Sequence, residues 1–450
     1  MFTLEQLKSL FPRIEGNFSG EAEINEVYTD SRMKVEKGLF VPIIGEHFDA
    51  HTFIEDAVEH GAIATLWDES IPVPTHLTDS MVFFIVNDTI EGLQKLATAY
   101  RKKVNPIVVG VTGSNGKTST KDLLKTVLQQ KYRTYGTVGN FNNHIGLPLT
   151  ILQMEQETEM LILEMGMSDF KEIETLSKIG LPDYAIITNI GESHIEHLGS
   201  REGIAKAKLE IKAGLKEGGL LIIDGDEVLM ENEHEQEYVL TCGFTQTNEY
   251  IVTNVVITEE ETKFAVNDVP FTIPLVGKHH AQNASFVFAL AKHLHMNDEQ
   301  IQAGFSALQY SNMRFERLIG RNGVTLINDA YNASPTSMKA AIEVMKQLKD
   351  NKRKIIVLGD ILELGPYTEE LHRSIAEVID EQIDHTLLFG ESMRYLYDVL
   401  QQKDNVNHVD YFEAKDAIIK KLETYTLSDT TILFKASRGM AFEEIVEALK

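Results

Sequence analysis

The sequence predicts an α/β protein of three domains, and three observations carry that expectation. Its 450 residues are about three times a typical domain length, and 43% are hydrophobic, enough for separate cores. Apolar, β-branched runs alternate with amphipathic helical stretches in two long blocks, after Ile107 and after Arg314, as helix-flanked parallel sheets require. No run reaches the roughly 18 apolar residues of a membrane span, and the opening MFTLEQLKSLFPRIEG lacks the layout of a secretion signal.

Residues 1–103 mix short apolar runs, GLFVPIIG from Gly38 and MVFFIV from Met81, with a helical period in HTFIEDAVEHGA from His51. They predict a small α/β domain. The polar stretch RKKVNP, Arg101 to Pro106, reads as a linker feeding a new strand. A central mononucleotide-binding α/β domain of the phosphate-loop type is expected over 104–312, from the succession IVVGVT, KDLLKTVLQQ, MLILEM, YAIITNI and LLIID. Between Asn248 and Leu275 the period falls to two residues, as in YIVTNVVITEE and KFAVNDVPFTIPL, which predicts antiparallel strands ahead of a helix from about Gln282 to His295. Residues 313–450 alternate again: VTLIN, a helix through MKAAIEVMKQL, KIIVLGD, a helix from Thr368, HTLLFG, a further helix, and TTILFKAS. Strands ending in Gly or Asp before helices predict a Rossmann-like domain.

Lys and Arg total 42 against 68 Asp and Glu, a formal charge of -26, which repels nucleic-acid backbones and anionic membrane surfaces. Neither nucleic acid nor membrane insertion is expected, and any anionic ligand must be held by local groups. Cys242 is the only cysteine, which excludes an intrachain disulfide and a Cys-based zinc site and fits a cytoplasmic location. For oligomeric state a monomer is the default.

The stretch VVGVTGSNGKTST, Val108 to Thr120, lies between a strand pattern and a helix pattern. Gly113 and Gly116 let the backbone turn N–H groups inward, Lys117 can neutralise β and γ phosphates, and the Thr118 hydroxyl can meet Mg2+. The loop is G-x-x-G-K-T, shorter than the usual G-x-x-x-x-G-K-[ST]. Glu164 closes the run MLILE, where a carboxylate at a sheet's C-terminal edge can hold a metal or simply face solvent. His194 in its loop reads as polar surface, and Lys208 as a solvated helix lysine. His279 and Asn283 are four apart and share a helical face.

A loop this short, flanked by Thr112 and by Ser119-Thr120, resembles the TGxNGKT/S element of the Mur ligase family, ATP-dependent amide-forming enzymes of peptidoglycan precursor synthesis. The resemblance implies ATP and Mg2+ as cofactors. It places Thr112, Gly113, Asn115, Gly116, Lys117, Thr118 and Ser119 around the nucleotide. NIGESHIEHLGSREGIAKAKLEI, from Asn189, is similar to the family's metal segment. That implies metal-site roles for Thr118, Glu164 and His194, and for Lys208 the place of a carbamylated lysine. Lys117, Glu164, His194 and Lys208 form the implied catalytic set. In GKHHAQNASFVFALA, Asn283 matches the later Asn of the family's nucleotide-contacting element, and His280 replaces its first Asn. Arg314, in MRFERL, matches a residue that reaches the γ-phosphate or ATP when domains close.

The remaining motifs run in family order along nearly the whole chain. Asp30, Ser31 and Arg32, then Gly45, Phe48, Asp49 and His51, resemble a domain that engages a uridine nucleotide. NFNNHIGLPLT carries Asn140, Asn142 and Asn143 as an acceptor-side element, with His144 where an acidic residue is expected. NDAYNASPTSMKAAI implies nucleotide contacts from Asp329, Tyr331 and Asn332, with Asn328 for the first Asp of the motif. VLGDILELGPYTEELH and FKASRGMAFEEIV, with Ala436 for Gly, complete the set, and the DNPR motif of ligases adding meso-diaminopimelate is absent. Together they imply addition of D-alanyl-D-alanine to UDP-N-acetylmuramoyl-tripeptide through an acyl phosphate. The alternatives are a sibling ligase adding the third amino acid, a folate polyglutamylating ligase and a non-catalytic ATP-binding module.

Overall fold

The computed structural model describes residues 1–45, 48–309, 313–348 and 353–450. Among the described residues, strands fall into three main sheets and a two-stranded ribbon pairing Phe2–Thr3 with Glu23–Ile24. The first main sheet has five strands in the order Ile14–Gly16, Val82–Val86, Ala62–Asp68, Gly38–Phe40 and Glu26–Tyr28, parallel except at Ile14–Gly16. The two apolar runs read from sequence supply two of its inner strands.

The central sheet has nine strands. Ile107–Thr112 lies in its interior between Met160–Glu164 and Tyr184–Ile187, all parallel, and the chain runs outward on both sides of it. Strand order reverses there, so the carboxyl ends of these three strands open the crevice where α/β sheets bind ligands. Tyr250–Ile257, Thr262–Val266 and Val269–Ile273 extend the same sheet, the last two pairings antiparallel as the two-residue period predicts. Helix Lys117–Leu128 buries Leu123, Leu124, Val127 and Leu128 against helix Lys278–His293 and its neighbours, each side chain contributing roughly 1.5–3 kcal/mol. The third sheet has six strands, an antiparallel edge strand Glu316–Ile319 followed by five parallel ones ending at His408–Phe412.

The structure corrects the sequence reading in several places. Arg101 is not linker: helix Thr89–Val104 runs through it and stops at Asn105 in a left-handed turn. Only 1% exposed, Arg101 donates to the carbonyls of Gly180 and Leu181, each at 2.9 Å, and to Asn105 Oδ1 at 3.1 Å, and it pairs with Asp183. A guanidinium with its donors satisfied can be buried despite its polar sequence signal. The helix expected from about Gln282 begins at Lys278, because the polar residues Lys278, His279 and His280 fill its first turn and hide the period. Edge strands Glu316–Ile319 and His408–Phe412 were missed, being short and only half-buried. Among the described residues no helix is long and apolar enough to cross a membrane.

Candidate active site

The phosphate-loop stretch connects strand Ile107–Thr112 to helix Lys117–Leu128, as the motif requires. Gly113, at φ +151, lies so close to Thr188 that a Cβ would come within 1.8 Å of its hydroxyl; no side chain fits. Gly116 takes φ +82 with Asn283 packed beside it. The loop is pinned from the neighbouring strand end. Thr188 donates its hydroxyl to the Asn115 carbonyl at 2.5 Å, and the Asn115 N–H donates to Asn189 Oδ1 at 2.8 Å. These bonds preorganise the loop where the helix presents its first-turn N–H groups, a ready anion site.

Parallel register sets Glu164 opposite Val111, one residue before Thr112, and so delivers its carboxylate to the loop. Only 2% exposed, Glu164 accepts from the Thr118 hydroxyl at 3.0 Å and from Asn142 Nδ2 at 2.9 Å. The solvent-facing alternative is thereby removed. Lys117 folds onto its own loop, Nζ donating to the Gly113 carbonyl at 2.6 Å. Burial pushes its pKa down and the charge of Arg314 adds to this, while Glu164 opposes them.

His194 follows strand Tyr184–Ile187 and takes a left-handed φ of 62. Its Nδ1 meets the Glu363 carboxylate of the third domain. Burial lowers its pKa, Glu363 works against that, and the charges of Lys117 and Lys208 lower it further. Lys208, on helix Arg201–Leu209, contradicts the solvated reading: it is 2% exposed and makes no hydrogen bond or ion pair among the described residues. Burial, then the charge of Lys117, push its amine well below the usual lysine range.

The third domain faces this loop across a cavity of about 510 Å³. Its wall carries Asp329, Tyr331 and Asn332 after strand Thr325–Asn328, with Arg314 stacked 4.2 Å over the Tyr331 ring. Asp329 pairs with Lys435 at 2.8 Å, and Ser334 donates to Asn115 Oδ1 at 3.1 Å across the domain boundary. The central wall carries Asn115, Gly116, Lys117, Thr118, Ser119, Glu164, His194 and Asn283, with Asn142, Asn143 and His144 at one end.

Other predicted residues lie apart. Thr112, Gly113 and the buried Lys208 are off the cavity wall, and Asn140 is exposed outside it. Asp30, Ser31 and Arg32, and Gly45, Phe48, Asp49 and His51, lie on the first domain away from the cavity wall, and among the described residues the hydrogen bonds that join them fall within each of the two sets. There Arg32 is paired with Asp30, whose hydrogen bonds hold the carboxyl at about 2. His51 Nδ1 contacts Asp49 Oδ1 at 2.6 Å, and Phe48 is 59% exposed. Gln94 Nε2 donates to the His144 carbonyl at 3.0 Å, linking the first domain to the cavity's lining. Sequence reasoning missed Thr188, Asn189, Lys435 and Glu363. Three of them stand at the ends of apolar strand runs, a position that marks crevice residues in such sheets.

A short phosphate-type loop, a buried carboxylate on its Thr and a second domain facing both across a cavity are the layout of a nucleotide-dependent α/β enzyme. The chain belongs to the Mur ligase family. Residues 111–291 match the Mur ligase middle domain and residues 313–438 the Mur ligase glutamate ligase domain. It is 44% identical to the UDP-N-acetylmuramoyl-tripeptide–D-alanyl-D-alanine ligase of Bacillus subtilis (strain 168), covering 98% of each chain. The enzyme of that name in Escherichia coli (strain K12) is 31% identical, over 100% of this chain and 98% of that one. Crystal structures of MurF from Acinetobacter baumannii (TM-score 0.86, 28% identity, 99% and 98% coverage) and of MurF ligase from Thermotoga maritima with ADP (TM-score 0.82, 28% identity, 94% and 96%) share the whole architecture.

Proposed function

We propose that this chain joins D-alanyl-D-alanine to UDP-N-acetylmuramoyl-tripeptide at the expense of ATP, giving UDP-N-acetylmuramoyl-pentapeptide, ADP and phosphate for peptidoglycan synthesis. The observation that carries the reading is the cavity that sets the Lys117 loop and Glu164 against Arg314, Asp329, Tyr331 and Asn332. Its relatives of matching length bear that activity in their names.

A carboxylate is a poor electrophile with a poor leaving group, and phosphorylation by ATP remedies both. Lys117 and the first-turn N–H groups are placed to hold the γ-phosphate as charge shifts during transfer to the tripeptide carboxylate. Asn283, Tyr331, Asn332 and Asp329 orient the nucleotide, and Arg314 approaches it from the closing domain. The amino group of D-alanyl-D-alanine then displaces phosphate from the acyl phosphate. Closure of the third domain excludes the water that would hydrolyse that intermediate.

The donor set beside the loop fits Mg2+. One buried carboxylate and one hydroxyl, 3.0 Å apart, are hard oxygen ligands of the kind Mg2+ combines with substrate phosphates. Mg2+ ordinarily keeps several waters and binds through one or two protein oxygens plus substrate phosphates, so nucleotide and water oxygens would complete its shell. Bound there, Mg2+ supplies charge neutralisation on the phosphate oxygens. Thr118 and Glu164 would hold it, with His194 on the same wall and Lys208 buried off the wall near Lys117. A buried, unpaired amine is the nucleophile that carbon dioxide carbamylates, and the depressed pKa of Lys208 supports that modification.

On the first domain, Asp30, Ser31, Arg32, Gly45, Phe48, Asp49 and His51 would engage the uridine nucleotide end, and Asn140, Asn142 and Asn143 the acceptor side. The ranges 1–103, 104–312 and 313–450 each contain one main sheet and divide the work into substrate anchoring, phosphoryl transfer and closure. The single buried cysteine and the use of ATP support a cytoplasmic enzyme. The test is ADP release with ATP, Mg2+ and UDP-N-acetylmuramoyl-tripeptide, adding D-alanyl-D-alanine, L-lysine or no amine. Release only with the dipeptide, and a pentapeptide product by mass, is expected; release with a single amino acid on the dipeptide precursor overturns the assignment in favour of the sibling ligase.

A further inference from the structure

The motifs VLGDILELGPYTEELH and FKASRG touch the cavity only through Lys435, yet together they build one rigid turn. Asp360, at the end of strand Arg353–Gly359, accepts from the Met393 N–H at 2.9 Å, and its carbonyl accepts from the Ser437 N–H at 3.1 Å. Ser437 in turn accepts from the Leu362 N–H at 2.9 Å. The buried His372 donates through Nδ1 to the Thr368 carbonyl at 2.7 Å and accepts the Ile361 N–H on Nε2 at 3.1 Å. Asp360, His372 and Ser437 thus hold residues 361–364 in place. Glu363, in a left-handed conformation at φ 61, projects from that turn.

What it projects onto is the central domain. Its carboxylate meets His194 Nδ1, and its carbonyl accepts from the Glu196 N–H at 3.3 Å. Gly365, at φ +51, lets Glu196 pack where a Cβ would come within 2.8 Å of Glu196 Cγ. Tyr367 donates its hydroxyl to the Gly199 carbonyl at 2.7 Å. One five-residue turn therefore grips the segment 194–199 at four points, and His194 is the member of that segment on the cavity wall.

We infer that Glu363 is a positioning residue: the turn Glu363–Tyr367 latches the third domain onto segment 194–199 and fixes His194 beside the phosphate loop only when the domains are closed. The site is then complete only in the closed form, so phosphoryl transfer is coupled to closure by a contact distinct from those to the nucleotide. The kinetic consequence rests on the ligase reading above; the structural one does not.

The test compares wild type with Glu363→Ala, Glu363→Gln, His194→Ala and the double variant Glu363→Ala/His194→Ala. ADP release gives kcat and the KM for ATP, small-angle X-ray scattering with a non-hydrolysable ATP analogue reads compaction, and thermal melting checks folding. Loss of a charge-assisted contact should lower kcat about tenfold in Glu363→Ala while the KM for ATP changes less than about twofold. Glu363→Gln, which keeps an acceptor oxygen, should recover part of that loss. The double variant should be no worse than His194→Ala alone, as coupled residues require. In scattering, Glu363→Ala should stay more extended with the analogue than wild type. Multiplicative losses in the double variant, or scattering identical to wild type in Glu363→Ala, overturn the latch. If wild type itself fails to turn over with D-alanyl-D-alanine, the ligase reading fails, and scattering still decides the latch.

Discussion

Thr118→Val removes one hydroxyl and keeps the shape and β-branching of the side chain. In the structure that hydroxyl donates at 3.0 Å to Glu164, a carboxylate only 2% exposed. A hydrogen bond to a charged group is worth roughly 1.5–3 kcal/mol, and the valine leaves Glu164 Oε2 without its donor. At about 1.4 kcal/mol per factor of ten, the loss corresponds to a fall in kcat of roughly 10- to 100-fold if the contact orders the phosphate site during transfer. The hydroxyl is also one of the two protein groups assigned to Mg2+, so the half-saturating Mg2+ concentration should rise. The assay is ADP release at saturating ATP across an Mg2+ titration, with melting curves to establish that the variant is folded. Thr118→Ser, which restores the hydroxyl, should recover most of the activity. A folded Thr118→Val enzyme with wild-type kcat and an unchanged Mg2+ curve would falsify the assignment of this pair as the metal and phosphate anchor.

Arg101→Met should destabilise the junction of the first and central domains by about 2–4 kcal/mol, because it leaves the Gly180 and Leu181 carbonyls without their donor, while Asp183 keeps Lys216, and calorimetric unfolding reads this directly. A wild-type melt would return Arg101 to a linker role. Asp224 is raised from 3.8 to about 7, first by burial. Between those values the folded chain keeps a proton that the unfolded chain has released, so its contribution to stability declines as pH rises toward 7. Asp224→Asn should flatten that decline in denaturant titrations between about pH 4 and 7; an unchanged pH profile would refute the shift. Carbamylation needs the neutral amine that burial favours at Lys208, so turnover should drop several-fold in buffer stripped of carbon dioxide and return with bicarbonate. Indifference to bicarbonate would remove that modification from the mechanism.

Local pattern made much of this protein legible. Period-two and helical alternation located the inner strands and main helices, since each such element buries one continuous apolar face. The spacing of Gly113 and Gly116 was enough to place the strand–loop–helix turn, because its left-handed and crowded positions demand glycine. Elements with weak faces escaped: the half-buried edge strands, and the first turn of helix Lys278–His293.

Burial and partnership across long sequence separations lay beyond that reading. Arg101 and Lys208 look alike in sequence as solvated cations, yet one is locked by four acceptors and the other is buried with none. The sequence by itself determined the fold class, the phosphate loop and the family motifs, because these depend on residues near one another in the chain. Only the tertiary structure decided that Glu164 meets Thr118, that Lys208 is desolvated beside Lys117, and that Glu363 reaches His194, because each depends on how separate strands and domains pack and exclude water.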